Sequence, residues 1–296
     1  MLNEWFYSHP TWEVTLAVCS VIVLATLAGL LVFNRLVHWE AREKDTTMTG
    51  LSYALAGGLF AIVISFVAVG VYEAMDKGEA IASAEANSLS GIVFDSAGLP
   101  ADLASRVRDD VDKYIVTVTK KEWPSQQAYH MEESNFEEGW ALLRRINFDL
   151  SNYDPATMGQ ATVKRTIIHS INDLFSARRA RLLAAGSHLP DSVWQMMIFG
   201  LVLVSIYIYL FGPHSFKIHM AVTGLTMVSF GLVFSLIIAL DYPFRGDLSV
   251  DDEAFLSVKQ IAASIFEPKA DKPEAGDKGA EGPHAVTPEA KDKNEK

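Results

Sequence analysis

The sequence predicts an all-α integral membrane protein, with four transmembrane helices in two hairpins that flank a helical, water-exposed domain of roughly 120 residues. Three observations predict it. Half of the 296 residues are hydrophobic and only 21% are charged, a balance that suits a bilayer better than two soluble domains. The apolar residues gather in four blocks, Val14–Phe33, Leu51–Tyr72, Val193–Phe211 and Ile218–Leu240, each 19 to 23 residues long and each free of Asp, Glu, Lys and Arg. About 20 helical residues cross a hydrocarbon core about 30 Å thick, so every block is long enough to span. Aromatic residues stand where interfacial anchors belong: Trp5, Phe6, Tyr7 and Trp12 before the first block, Trp39 after it, and Trp194 opening the third.

The first block is not a cleavable signal peptide, because no Lys or Arg precedes Arg35 and the apolar run is too long. The chain divides into an N-terminal segment with the first membrane helix and a short loop (1–50), the second membrane helix (51–72), the helical soluble domain (73–192), the third and fourth membrane helices (193–240), a turn with a C-terminal helix (241–267) and a disordered charged tail (268–296). The second membrane helix runs on past the surface through Tyr72–Gly91, which is rich in Ala and Glu and lacks proline. Gly98 and Pro100 end it. Leu103, Val107, Val111, Tyr114 and Val118 form the apolar stripe of an amphipathic helix that Trp123-Pro124 closes. Ser134 to Glu137 has the form of a capping box for the next helix, Asp154-Pro155 starts a longer one through Val163, Ile167, Ile171, Leu174 and Leu182, and Gly186 ends it. From Pro268 the composition is that of a disordered segment.

Four crossings place both termini and the central domain on one side. Arg35, Arg42 and Lys44 follow the first helix, which by the positive-inside rule draws the 34–50 loop to the cytoplasm, whereas Lys77, Arg178, Arg179, Arg181, Arg245 and Lys259 draw the opposite side there.

No nucleophile elbow, zinc-protease helix, phosphate-binding loop or dinucleotide fingerprint occurs, so an enzyme is not expected. No cofactor or metal is expected either. Cys19 is the single cysteine, and His214 and His219 read as solvated loop residues before they read as a metal pair. Asp109, Asp110 and Asp112 read as a solvated helix face before a Ca²⁺ site, and Ser249-Val-Asp-Asp-Glu253 as a helix cap with acids in the first turn. The net charge is −11, and nothing in its distribution resembles a nucleic-acid footprint.

The second membrane helix carries the most specific pattern. Gly58, Ile62, Ser65, Val69, Glu73 and Asp76 follow at spacings of 4, 3, 4, 4 and 3, hence one helical face, small or apolar inside the bilayer with two carboxylates just beyond it. Repeated around an axis, Gly58, Ile62, Ser65 and Val69 line a pore and Glu73 and Asp76 form its acidic mouth. Ala54, Gly57, Gly58, Ala61, Ser65 and Ala68 equally give the spacing of close helix packing without a pore, and periodicity leaves both readings open. The fourth helix leaves through Asp241, Tyr242, Pro243, Phe244, Arg245 and Gly246, a fixed turn at the membrane border in which Arg245 is close enough in sequence to pair with Asp241.

Seven stretches, GGLFAIVISFVAVGVYEA (57–74), AEANSL (84–89), GLP (98–100), KEWP (121–124), RRARL (178–182), LPDSVW (189–194) and LDYPFRGDLSV (240–250), resemble in order and spacing a bacterial family of bestrophin-like membrane proteins marked by an L-D-x-P-F-x-G motif. The resemblance covers residues 51 to 256. It implies the bestrophin plan: two membrane helices, a cytosolic helical domain, two more membrane helices, and a homo-oligomer, a pentamer, whose second helices line a pore for inorganic ions. It places the chain in the bacterial inner membrane with the central domain and both termini cytoplasmic. The expected function is an oligomeric ion channel; the alternative is a non-conducting scaffold or sensor whose soluble domain binds a protein partner. The best-known bestrophins pass chloride, yet rings of Glu73 and Asp76 favour monovalent cations, unless Arg178, Arg179 and Arg181 fold back to neutralise them.

Overall fold

The computed structural model describes residues 2–37, 46–211 and 215–266, and every regular element among them is helical. In chain order these are α1 (Leu2–Ser8), α2 (Thr11–Leu36), α3 (Thr46–Asp95), α4 (Ala101–Thr117), α5 (Trp123–Gln127), α6 (Glu137–Asn152), α7 (Met158–Ala185), α8 (Asp191–Leu210), α9 (Phe216–Leu240) and α10 (Glu253–Phe266). Four of them, α2, α3, α8 and α9, are long and apolar enough to cross a membrane. Trp39, His214 and the 268–296 tail lie outside the described residues.

The organising element is α3. At 50 residues it is both the second membrane helix and the spine of the soluble domain, and at about 1.5 Å per residue it reaches well beyond the bilayer. Along it Phe60, Ile64, Val71, Gly78, Ala82, Glu85 and Leu89 are buried, a single stripe with a period near 3.6. In the membrane half this stripe packs on α8 and α9, and α2 lies on the far side against α9. In the soluble half it packs on α7, with α4 and α6 closing the layer and α10 lying back across α3 and α4. Leu89, Ile92, Val107, Tyr114, Leu143, Ile146, Leu150 and Ile167 are fully enclosed there, and each such side chain stabilises the fold by about 1.5 to 3 kcal/mol.

Inside the bilayer segment, polar side chains turn to backbone carbonyls of the protein: Tyr209 Oη donates to Thr26 O (2.8 Å), Ser205 Oγ to Leu201 O (2.8 Å), and His219 Nε2 lies 3.0 Å from Ile208 O. Hydrocarbon offers no hydrogen-bond partner, so these groups must be satisfied internally. His219 is thus buried within α9 and is not a solvated loop residue.

Several sequence expectations move. Trp123-Pro124 does not close the α4 helix: a π-helical turn, Val118–Glu122, carries the chain on into α5, with Pro124 in its first turn where its missing N–H costs nothing. Ser134 caps nothing; a 3₁₀ turn, Glu133–Phe136, leads into α6 without a side-chain cap. The long helix begins at Met158, after Asp154-Pro155, because Thr157 is its cap and accepts from the Gln160 N–H at 3.2 Å. The Leu103–Val118 stripe and the stops at Gly98 and Gly186 stand as expected.

Candidate functional site

The face of α3 that carries Gly58, Ile62, Ser65, Val69, Glu73 and Asp76 is exposed along its whole length. At about 100° per residue these positions lie about 180° from Phe60, Ile64, Val71 and Gly78, the stripe that packs within the chain. A Cβ added at Gly58 would meet nothing within 4 Å. Close helix packing inside the subunit uses other positions. A Cβ on Gly200 of α8 would stand 2.1 Å from the Phe60 ring, and one on Gly231 of α9 would stand 2.8 Å from Cys19 Sγ. Of the small residues at packing spacing, Ala54, Gly58, Ala61 and Ser65 are exposed, whereas Gly57 is half-buried and Ala68 packs against the core of the membrane bundle.

The same line continues past Asp76 through Ala80, Asn87 and Phe94, which are also exposed. Seven residues make nearly two turns, so these positions stay close to one face. The face predicted from the sequence ends at Asp76, and the unbroken helix through Gly91, extended by the same spacing, is the signal for the rest. Around the carboxylates, Glu73, Asp76 and Glu79 are exposed with one base, Lys77.

Arg178 and Arg181 do not fold back to that mouth, while Arg179 is exposed on α7. The first two project from the buried stripe of α7, where Ile167, Ile171 and Leu174 precede them at spacings of 4, 3, 4 and 3, and both are fully buried. Arg178 forks onto Glu122 (Nη1 to Oε2 2.8 Å, Nη2 to Oε1 2.7 Å) and reaches Phe136 O at 2.9 Å. Arg181 reaches Glu85 with Nε at 2.7 Å and Glu122 with Nη2 at 2.9 Å, and Tyr114 Oη donates to Glu85 at 2.5 Å. Burial, then the Glu85 carboxylate, hold the Tyr114 phenol well above its ordinary range, so it stays a donor. Two guanidinium and two carboxylate groups thus join α3, the π-helical turn and α7 without net charge. Glu85, Glu122 and the arginines stand in AEANSL, KEWP and RRARL, three of the stretches that carry the resemblance. What those stretches share in space was not legible along the chain.

The border turn forms a second junction. Gly78 of α3 lies against it: a Cβ there would stand 3.3 Å from Pro243 and 3.4 Å from Phe244 and Val250. Asp241 and Arg245 do not pair with each other, contrary to the sequence expectation. Asp241 accepts the Leu189 N–H at 2.7 Å and a Trp194 side-chain bond, joining LPDSVW to LDYPFRG. Arg245 donates to Gln127 O at 3.2 Å and lies over the rings of Tyr7, Tyr129 and Tyr242. Both side chains are buried at the base of the soluble domain, and each is met by neutral groups from other elements.

Among the acids of α4, Asp110 is buried and bound to Arg145 of α6 rather than solvated, while Asp112 lies 4.0 Å from Lys259. Among the described residues no group of three His, Cys, Asp or Glu side chains is placed to hold a metal ion.

Comparison with known proteins gives the same architecture. Two crystal structures of a bacterial bestrophin homologue from Klebsiella pneumoniae, each with a single mutation, superpose with TM-scores of 0.59 and 0.58. They are 13% and 12% identical to this chain, covering 84% and 86% of it and 98% and 99% of the homologue. At that identity the likeness is one of fold. No curated protein matches. The Bestrophin-like domain matches residues 20–255, so the chain belongs to the bestrophin-like family.

Proposed function

We propose that this protein assembles in the bacterial inner membrane as a homo-oligomer, a pentamer by its resemblance, and conducts ions along an axis lined by α3. One observation carries the reading: the stripe from Gly58 to Asp76 is unpartnered and diametrically opposite the stripe that packs. Brought to an axis, Ile62 and Val69 make two apolar rings with Ser65 between them and Glu73 and Asp76 at the mouth. Apolar constrictions gate by excluding water, and acidic rings favour cations. With Arg178 and Arg181 held inside the soluble domain, the mouth keeps its negative charge, so the pore prefers monovalent cations or selects weakly.

The test is electrical and structural together. Purified protein in nanodiscs is expected to show cyclic symmetry with α3 innermost, and in planar bilayers unitary currents that change when Ile62 or Val69 is substituted. Silence from correctly sized oligomers supports a non-conducting scaffold instead. The central domain and both termini face the cytoplasm in this reading, so alkaline phosphatase fused after residue 267 is expected to be inactive; an active fusion places them in the periplasm.

A further inference from the structure

On the side of the bundle away from the free face of α3, a cleft of about 780 Å³ opens between α1, α2 and the junction of α8 with α9. That volume is in the range of sites that bury a drug-sized molecule. Its lower wall is aliphatic and aromatic: Val18, Val21 and Ile22 of α2, Ile198 of α8 and Phe234 of α9. Val21 and Ile198 are exposed, so this wall opens sideways to the hydrocarbon of the bilayer. The upper end lies at the membrane border, where α8 begins and α9 ends, and is lined by Trp5, Phe6, Tyr7, Trp194 and Tyr242. Tyr7 fixes α1 over this end by donating to Ile238 O at 3.0 Å.

Asp241 lines the same end and is more than nine-tenths buried. Its two hydrogen-bond donors, the Leu189 N–H and the Trp194 side chain, are neutral. Burial pushes its carboxyl up from the usual carboxylate range. Asp191 adds a second acid, and among the described residues that line the cleft His188 is the one basic side chain, with no Lys or Arg. Arg245 lies nearby over the Tyr7 and Tyr242 rings. With Arg245 already over Tyr7 and Tyr242, it is the faces of Trp5, Phe6 and Trp194 beside a buried acid that attract a further cation, and the apolar wall below takes a hydrocarbon chain.

We propose that this cleft binds an amine-headed membrane lipid, with its ammonium among the aromatic rings at Asp241 and one acyl chain along Val21, Ile198 and Phe234. The site is separate from the proposed pore and stands whether or not the protein conducts.

Native mass spectrometry of the full-length protein tests it, with equal amounts of dioleoyl-phosphatidylethanolamine and dioleoyl-phosphatidylglycerol added to delipidated samples. The ethanolamine lipid is expected to be retained about fivefold over the glycerol lipid. Asp241→Asn, which keeps an acceptor for Leu189, is expected to abolish the preference while both lipids still bind. Ile198→Trp, placed at the mouth and away from the acid, is expected to lower retention of both. Equal retention by the wild-type protein, an unchanged preference in Asp241→Asn, or retention indifferent to Ile198→Trp overturns the proposal. If Asp241→Asn fails to yield folded protein, Asp191→Asn and Ile198→Trp decide it: a reduced preference in the first with reduced retention in the second supports the site, and no change in either overturns it.

Discussion

In its membrane half α3 leaves Leu55, Leu59, Ile62 and Phe66 exposed and buries no charge, whereas further along the same helix buries Glu85 completely. The two halves meet different solvents. Lipid tails are as apolar as leucine, so an exposed stripe there costs nothing and is available to a neighbour or a pore. In the water-facing half a buried charge is costly unless it is matched, and Glu85, Glu122, Arg178 and Arg181 are matched with one another within the core. The comparison separates residues that hold the subunit together from residues that remain free to do something else.

It breaks most readily in the soluble half. Arg181→Met or Glu122→Gln leaves an uncompensated charge in a dry core, and a loss of about 3 to 5 kcal/mol is expected, seen as an earlier thermal transition in detergent. Lys121→Ala removes an exposed ion pair to Glu138 and is expected to cost no more than about 1 kcal/mol. Equal losses would contradict the account of the network.

Two glycines distinguish a packed from a free helix face within the membrane. Gly200→Ala drives a methyl into the Phe60 ring, and overpacking of this kind costs about 1 to 3 kcal/mol. Gly58→Ala meets nothing and is expected to leave stability unchanged or slightly raised, while altering conductance if this face lines the pathway. Thermal unfolding and single-channel amplitude, measured on both variants, separate packing from pore lining.

Selectivity follows from the mouth. The double substitution Glu73→Gln with Asp76→Asn is expected to shift the reversal potential in a salt gradient toward that of chloride. A wild-type pore already strongly chloride-selective, and unchanged by the double substitution, places this acidic face off the pathway.

A smaller effect belongs to Asp241. Its folded pKa is raised above the ordinary value by burial, so the folded state holds the proton more tightly than the unfolded chain. Stability on this account falls as pH rises from the ordinary carboxylate range through the raised value. Asp241→Asn is expected to remove that slope from a pH series of unfolding midpoints, and an unaltered slope assigns it to other groups.

Much of this was legible along the chain because the bilayer imposes one-dimensional rules. Charge-free runs of about 20 residues give the four spans, and the spacing of Gly58, Ile62, Ser65 and Val69 gives a face. What was not legible depends on contacts between distant segments. Nothing along the chain marks Glu122 as buried before the π-helical turn directs it inward, and Arg178 and Arg181 read as flanking charges until the α7 stripe carries them into the core. Asp241 and Arg245, near in sequence, stand apart because each meets a partner from another element first: Leu189 and Trp194 for the acid, Gln127 and three tyrosine rings for the base. The choice between packing and pore lining for Gly58 could not be made from spacing, since both need the same small residues; the use of Gly200 and Gly231 for intrachain packing favours the free face.

In a conducting oligomer the free face of α3 meets permeating ions and water. With Cys19→Ser as the background, single cysteines at Ile62, Val69, Ile64 and Phe66 can be challenged during current recording with a charged, membrane-impermeant thiol reagent. The account predicts rapid, irreversible block for Ile62→Cys and Val69→Cys and none for Ile64→Cys or Phe66→Cys. Block at Ile64 or Phe66 without block at Ile62 or Val69, or no current from intact oligomers of any variant, would contradict it.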